Sequence, residues 1–302
     1  MKKNAAFFII IASVIWALLG IFGTEMSKLG FSSMQITSLR VTGAAIFFII
    51  TLLLTDKSRF KIKLKDLWLF IAMGVGCVLS MSVLYFYTLV NTSMPVAAIL
   101  LYTSPIWVII ISAIVFKEKI TWQKFVALIC AFVGCVLVSL NGGETGKIGV
   151  WFFVTGLLSG LAYGMYSILG TVALKKYHPY TVTTYAFIFA AIASWFVSNP
   201  VDTISVAVNY PNKLTVIMWM VLVGLVTSYI PFMLYTIGLG KTTPGKAAVM
   251  ACTDPLTSTI LGFLVYGQKP SVMGMILIFF AILLVNNFGM GEKEKTEQKN
   301  TP

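Results

Sequence analysis

A chain of 302 residues that is 58% hydrophobic, only 11% charged and +0.92 in mean hydropathy excludes a soluble globule, because a water-facing surface would need far more polar side chains. Lipid has to act as its solvent. The formal net charge of +12 does not point to nucleic acid, since the basic residues sit in short loops between apolar runs, where cytoplasmic loops of membrane proteins collect them.

Crossing a hydrocarbon layer of ~30 Å takes roughly 20 apolar residues. Runs of that kind lie near 5–23, 34–54, 66–89, 94–116, 122–140, 149–171, 181–198, 214–239, 244–266 and 271–289. The first begins after Lys2-Lys3 and resembles the basic and apolar regions of a signal peptide. With no convincing small-residue cleavage site after it, it reads as a retained first helix. Connectors are short; the longest are 55–65 and 199–213, the latter broken by Asn199-Pro200 and Tyr210-Pro211. Residues 291–302 read as a charged, disordered cytoplasmic tail.

Lys and Arg in the loops predict orientation. With the amino terminus inside, only Lys28, Lys147, Lys213 and Lys269 fall outside, and Arg40 lies within a span. Every other basic residue is then cytoplasmic, as are both termini of this multi-pass protein of the cell membrane. Cys77, Cys130, Cys135 and Cys252 all fall inside apolar runs, which supports neither disulfides nor zinc.

Internal repetition is the most informative feature. A shift of 150 residues places Leu84-Tyr85 on Leu234-Tyr235, Gly74 on Gly224, Leu89 on Leu239 and Thr92 on Thr242. Without a gap it also places Ala97-Ala98 on Ala247-Ala248, Thr103 on Thr253, Pro105 on Pro255 and Lys119 on Lys269. The spacing implies five helices per half, 1–141 and 142–290, and an odd number turns the second half upside down. The expected fold is therefore an all-α membrane protein, ten transmembrane helices arranged as two inverted five-helix repeats. Such symmetry suits a central site that opens alternately to either side, which is the logic of transport.

Several ordered features resemble the drug/metabolite transporter superfamily, and within it the EamA-like exporters, over essentially the whole chain. They are Trp16-Ala17, Arg40, Pro95-Val96-Ala97-Ala98, Pro105 and the segment Lys117-Glu118-Lys119-Ile120-Thr121. Gln268 departs from the pattern where the second-half counterpart of Glu118 would be acidic. The resemblance implies export of amino acids or other metabolites and says little about which one.

Asp254 is the sharpest candidate for chemistry. It lies near the middle of span 244–266, between Thr253 and Pro255, with Ser104 as its first-half counterpart. A carboxylate at mid-bilayer costs roughly 2.5–3.5 kcal/mol, so it faces a cavity or a partner, and Pro255 frees a backbone carbonyl nearby. Its readings are amine recognition, proton coupling, or a hydrogen-bonded group that fixes a kink. Arg40 reads first as an interfacial or snorkelling residue paired with Glu25, and second as a clamp for a substrate carboxylate and a group for charge coupling. Trp16, Tyr85, Tyr102, Tyr163, Tyr166 and Tyr235 are expected to line the cavity, with Thr103 and Met250 beside them, against the simpler reading of ordinary packing. As repeat equivalents, Tyr85 and Tyr235 are expected at one depth on opposite walls. Glu118 reads as a loop anchor, and Gly156, Gly160 and Gly164 as a packing ridge.

The function expected is secondary active transport, with export of a small metabolite such as an amino acid by alternating access. An importer of a vitamin or cofactor precursor is the alternative within this fold. A membrane enzyme or lipid-modifying protein is the alternative of another class, and it is disfavoured: His178 stands alone without paired acids or a Cys/His cluster. No Walker-type loop occurs, so ATP is not the direct energy source. No cofactor or metal is expected, and no nucleic acid. The expected partners are a small-molecule substrate and the bilayer, with the chain as monomer or homodimer.

Overall fold

The computed structural model describes residues 5–140, 149–267 and 269–287, and no strand occurs among them. Gln268, Lys147 and the segment 291–302 lie outside the described residues. Among the described residues, nine helices are long and apolar enough to span a membrane: α1 (Ala5–Lys28), α2 (Ser33–Thr55), α3 (Leu64–Asn91), α4 (Met94–Phe116), α5 (Trp122–Leu140), α6 (Val150–Leu174), α7 (Pro179–Val197), α8 (Lys213–Leu239) and α9 (Pro244–Tyr266). A shorter apolar helix, α10 (Val272–Asn287), completes the set. The ends are chemically marked. Ser32 and Gln35 form a capping box that starts α2, and Pro95 and Pro244 occupy the first turns of α4 and α9, where a missing N–H costs nothing.

One connector differs from its expectation. The stretch 199–213 is not simply a broken loop: Pro200–Asn209 is helical. Asn199 caps it by accepting from the Val201 N–H at 3.0 Å, and Pro200 begins it, so a residue pair read as a break is here a helix start.

The halves interleave, and glycine is where they touch. Gly74 on α3 packs so closely on α7 that a β-carbon there would land on the Ala186 carbonyl oxygen and within 2.9 Å of the Ala190 nitrogen. Its repeat equivalent, Gly224 on α8, packs on α2, where a β-carbon would lie 2.8 Å from the Gly43 Cα. Each half thus presents the glycine of its third helix to the second helix of the other half. Gly156, Gly160 and Gly164 form the expected ridge on α6, and α4 lies in it through Leu100, Thr103, Ser104 and Val108.

Backbone irregularities obey the same repeat. α3 widens into π-type turns over Ala72–Leu79 and α8 over Leu225–Tyr229, and a shift of 150 residues lays the second on the end of the first. α4 is interrupted between Leu101 and Ser104, and α9 at Cys252, in each case just before the repeated prolines Pro105 and Pro255. Proline has no N–H to give the carbonyl four residues back, so Leu101 and Ala251 lose their usual partners at those breaks. Breaks of this kind survive at membrane depth only where protein or a cavity surrounds them.

At one end of the bundle the lysine-rich loops 56–63, 117–121, 175–178 and 240–243 meet; this is the basic end. There the two halves are joined by polar contacts. Lys176 pairs with Asp66 at 2.7 Å, the Tyr177 hydroxyl donates to the same carboxylate at 2.7 Å, and the Tyr185 hydroxyl donates to the Phe60 carbonyl at 2.6 Å. The opposite end is closed instead by a separate apolar cluster that includes Met26, Phe31, Leu39, Val216 and Val223.

Candidate functional site

Asp254 stands in the first turn of the half-helix Thr253–Tyr266 that follows the break in α9. That position favours a carboxylate, because the unpaired N–H groups of a helix start carry partial positive charge. The side chain of Ser258, one turn on, donates to Asp254 Oδ1 at 3.3 Å. Tyr85, Tyr102 and Tyr163 lie in the same region, with Cys135 on α5. Asp254 and these three tyrosines are partly accessible, whereas most neighbours at this depth are sealed. A carboxylate and three partly exposed phenols from α3, α4, α6 and α9 therefore lie in the region of the break.

Tyr163 links this group to an aromatic cluster. Trp16 on α1 lies 6.4 Å from Tyr163, 4.9 Å from Phe232 and 5.3 Å from Tyr235, ring centre to ring centre. Tyr166 closes the cluster at 5.2 Å from Phe232, edge to face. The hydroxyls are satisfied internally: Tyr235 with Ser167 at 2.6 Å and Tyr166 with Thr236 at 3.0 Å. Tyr235 and Tyr166 thus form the buried floor, and Tyr85, Tyr102 and Tyr163 the accessible wall. The repeat equivalents Tyr85 and Tyr235 do not share one environment, because Trp16 encloses only the second.

Thr103 donates to the Leu100 carbonyl at 2.7 Å and sits under Gly160, and Met250 lies in the core beside the break. Ser258, Phe232, Ser167 and Thr236 were not anticipated. Only Ser258 carried a signal, its spacing of four from Asp254 on a helix.

Arg40 requires a correction. Its expected partner Glu25 is taken by Lys28 at 2.6 Å, a neighbour on the same helix face, and Arg40 is only 5% exposed. Its one hydrogen bond is from Nη2 to Ser82 Oγ on α3, at 3.1 Å, and its Nε has no partner. It does not snorkel.

Glu118 accepts from Ser112, from Thr243 at 2.6 Å and from Lys124 at 3.0 Å. Burial opposes its charge, but these three donors outweigh it and hold the carboxyl below the usual glutamate range. His178 packs against Arg59, and burial together with that guanidinium lowers its proton affinity. A recess of about 360 Å³ beside it, lined by Leu174, Tyr180, Ile237 and Lys241, opens at the basic end, away from Asp254. The four cysteines are free, and among the described residues no group of three or more His, Cys, Asp or Glu side chains could hold a metal ion.

Known proteins resemble this chain along most of its length. An Archaeoglobus fulgidus protein described as an uncharacterized transporter is 27% identical over 258 residues, which cover 84% of this chain and 88% of its own length. The uncharacterized transporter YyaM of Bacillus subtilis is 22% identical over 269 residues, covering 85% of each. A crystal structure superimposes with a TM-score of 0.77 at 16% identity, covering 94% of this chain and 96% of the other, and so shares the fold. The model of the EamA-like transporter family matches residues 3–140 and again 149–287, once per half. With two family repeats, ten apolar helices and transporter relatives along most of its length, this multi-pass membrane protein belongs to the EamA-like transporter family.

Proposed function

We propose that the protein is a secondary active transporter that exports a small metabolite such as an amino acid, and that it works by alternating access around Asp254. The observation that carries this reading is the carboxylate at a helix break, facing accessible tyrosines, with no cation in contact among the described residues. An acid at that depth costs roughly 2.5–3.5 kcal/mol, and a cargo amine or a proton relieves it. Two backbone breaks and two π-type segments related by the repeat supply hinges in each half, as exchange of conformation between inverted repeats requires. Export rather than import, the cell membrane, and a cytoplasmic basic end with both termini on that side follow from the resemblance and the lysine distribution.

Flux of labelled amino acids through purified protein in liposomes, with and without a proton gradient, tests the mechanism. Gradient-driven movement of one chemical class, lost in Asp254→Asn, is the expected result; gradient-independent leak would make it a channel. Reporter fusions at the two termini test the orientation, and an external terminus would overturn it.

A further inference from the structure

The recess at the basic end is made by three helix ends of the second half. Leu174 closes α6, Pro179 and Tyr180 open α7, and Ile237, Gly240 and Lys241 bring α8 to its end. Its volume of about 360 Å³ lies within the range of ligand cavities. Where apolar helices end, lipid headgroups begin. The lining is divided accordingly: Leu174, Ile237 and the Tyr180 ring form an apolar wall, while Lys241 and His178 supply the polar groups.

The polar side is cationic and has no acid of its own. Lys241 contacts no carboxylate; its Nζ lies instead 4.3 Å from the centre of the Phe8 ring. The described acids at this end are each engaged by another cation, Asp56 by Arg59, Asp66 by Lys176 and Glu118 by Lys124, so none of them neutralises Lys241. Arg59 stands behind His178. Its Nε is held by Asp56 at 3.1 Å, its guanidinium carbon lies 5.7 Å from the centre of the Tyr180 ring, and Nη1 lies 3.1 Å from His178 Nδ1. The Tyr180 N–H donates to the same Nδ1 at 3.3 Å, which leaves the ring proton on Nε2. Burial and the guanidinium disfavour a second proton, so His178 is a neutral N–H donor.

We propose that this recess binds an anionic phosphate group, with Lys241 as its counter-charge, the His178 ring as a hydrogen-bond donor and Arg59 as the cation that holds the ring in place. A positive recess with N–H donors and no internal acid draws an anion, and lysine serves phosphate as a point charge. The apolar wall takes what the phosphate carries. A bilayer lipid is one source of the group, and basic recesses between transmembrane helices hold lipid headgroups in this way. A soluble phosphate ester is the other.

The test uses the purified full chain in detergent, with phosphatidylglycerol, phosphatidylcholine, inorganic phosphate and glycerol 3-phosphate as probes. Native mass spectrometry reads bound lipid, and thermal shift at constant ionic strength reads the soluble probes. Single-copy binding of an anionic probe is expected, at least about tenfold tighter for phosphatidylglycerol than for phosphatidylcholine where a lipid is the source. Lys241→Gln should weaken that binding about fivefold, the worth of one basic residue beside an anionic surface, and Lys241→Arg should retain it. Lys119→Gln is the control, because it removes the same charge at the same end outside the recess and should leave binding unchanged. Both lysines are exposed, so neither change disturbs the core. Binding of phosphatidylglycerol alone assigns the phosphate to a lipid; a midpoint raised by the soluble probes, and not in Lys241→Gln, assigns it to a solute. Equal losses in the two glutamine variants would mean diffuse attraction and overturn the proposal, as would unchanged binding in Lys241→Gln or no preference for any anionic probe. Flux enters neither arm, so this site and the transport reading stand or fall separately.

Discussion

Glu118 of the first half and Thr243 of the second are joined across the basic end, with the Thr243 hydroxyl donating to Glu118 Oε1 at 2.6 Å. The same carboxylate holds Lys124 and Ser112, and Lys124 also donates to the Lys119 carbonyl at 3.0 Å. The backbone turns sharply to make this possible: Lys117 adopts φ of 54°, the left-handed region, just before Glu118. The contact fastens the α4–α5 turn to the start of α9. At the repeat-related position Ser93 Oγ, the equivalent of Thr243, is buried without a partner. The polar bolt is thus described at one end only.

Breaking that bolt should be costly. Glu118→Ala leaves Lys124 nearly enclosed and unpaired, and the loss of one partner from such a pair is expected to cost about 3 kcal/mol. Glu118→Gln keeps the Thr243 contact and should cost less. The pH dependence has a definite sign. Because the folded carboxyl titrates below its unfolded value, its contribution is present in full above the ordinary glutamate range and is lost as pH falls through the folded value. Unfolding midpoints measured in lipid from neutral pH downward should therefore fall less steeply in Glu118→Gln than in the wild type. Parallel curves would show that Glu118 does not carry the effect.

Two glycines of one widened turn make opposite predictions. A β-carbon at Gly74 would strike the Ala186 carbonyl, a backbone atom that cannot rotate away, whereas at Gly76 it would meet nothing within 4 Å. Gly74→Ala should destabilise by about 3 kcal/mol or prevent assembly, and Gly76→Ala should be neutral or slightly stabilising through lower chain entropy. Detergent melting of the two variants decides it. Equal midpoints would mean that α3 and α7 separate without cost.

Much of this was legible because a repeat writes its backbone requirements twice. Pro105 and Pro255, which recur at the shift of 150 residues, fall at the breaks, and Gly74 and Gly224, read only as a match of the repeat, fall at the close crossings. What Gly74 and Gly224 touch was not legible, since each packs on a helix of the other half with no periodic relation to it. The same holds for Arg40: its spacing allowed Glu25 as a partner, but α2 turns that face towards Ser82 on α3 and leaves Glu25 to Lys28. Among the tyrosines, only tertiary packing separates Tyr235 and Tyr166, held by Ser167 and Thr236, from the partly exposed Tyr85, Tyr102 and Tyr163.

Asp254→Asn keeps the shape and the Ser258 contact while it removes the charge. Transport should be lost or uncoupled from the proton gradient, and the unfolding midpoint should hold or rise, because an unpaired charge at membrane depth is removed. Liposome flux and melting of the same preparation provide both readings. Wild-type flux with unchanged pH dependence would reduce the carboxylate to a kink-fixing group, and a collapsed midpoint would do the same.

The repeat also sets one chemistry against another at equivalent places. Lys176 of α6's trailing loop and Asp66 at the start of α3 form an ion pair at the basic end. The shift of 150 residues carries Asp66 to Val216 and returns Lys176 to Met26, and both of these are buried in the cluster that closes the opposite end. Met26 is fully enclosed, so Met26→Ala removes buried methylenes and leaves a cavity, at a cost of about 3 kcal/mol. Lys176 is half exposed while Asp66 is buried but keeps the Tyr177 hydroxyl, so Lys176→Ala should lower the midpoint modestly, by less than Met26→Ala. The two ends should respond differently to salt as well: at high ionic strength the Lys176→Ala difference vanishes, while the Met26→Ala difference persists. If opening of either end limits transport, Met26→Ala should change flux at any salt concentration and Lys176→Ala only at low salt. Melting and flux of both variants at two ionic strengths would separate the apolar closure from the ionic one, and equal salt dependence of the two variants would show that the ends are not closed by different forces.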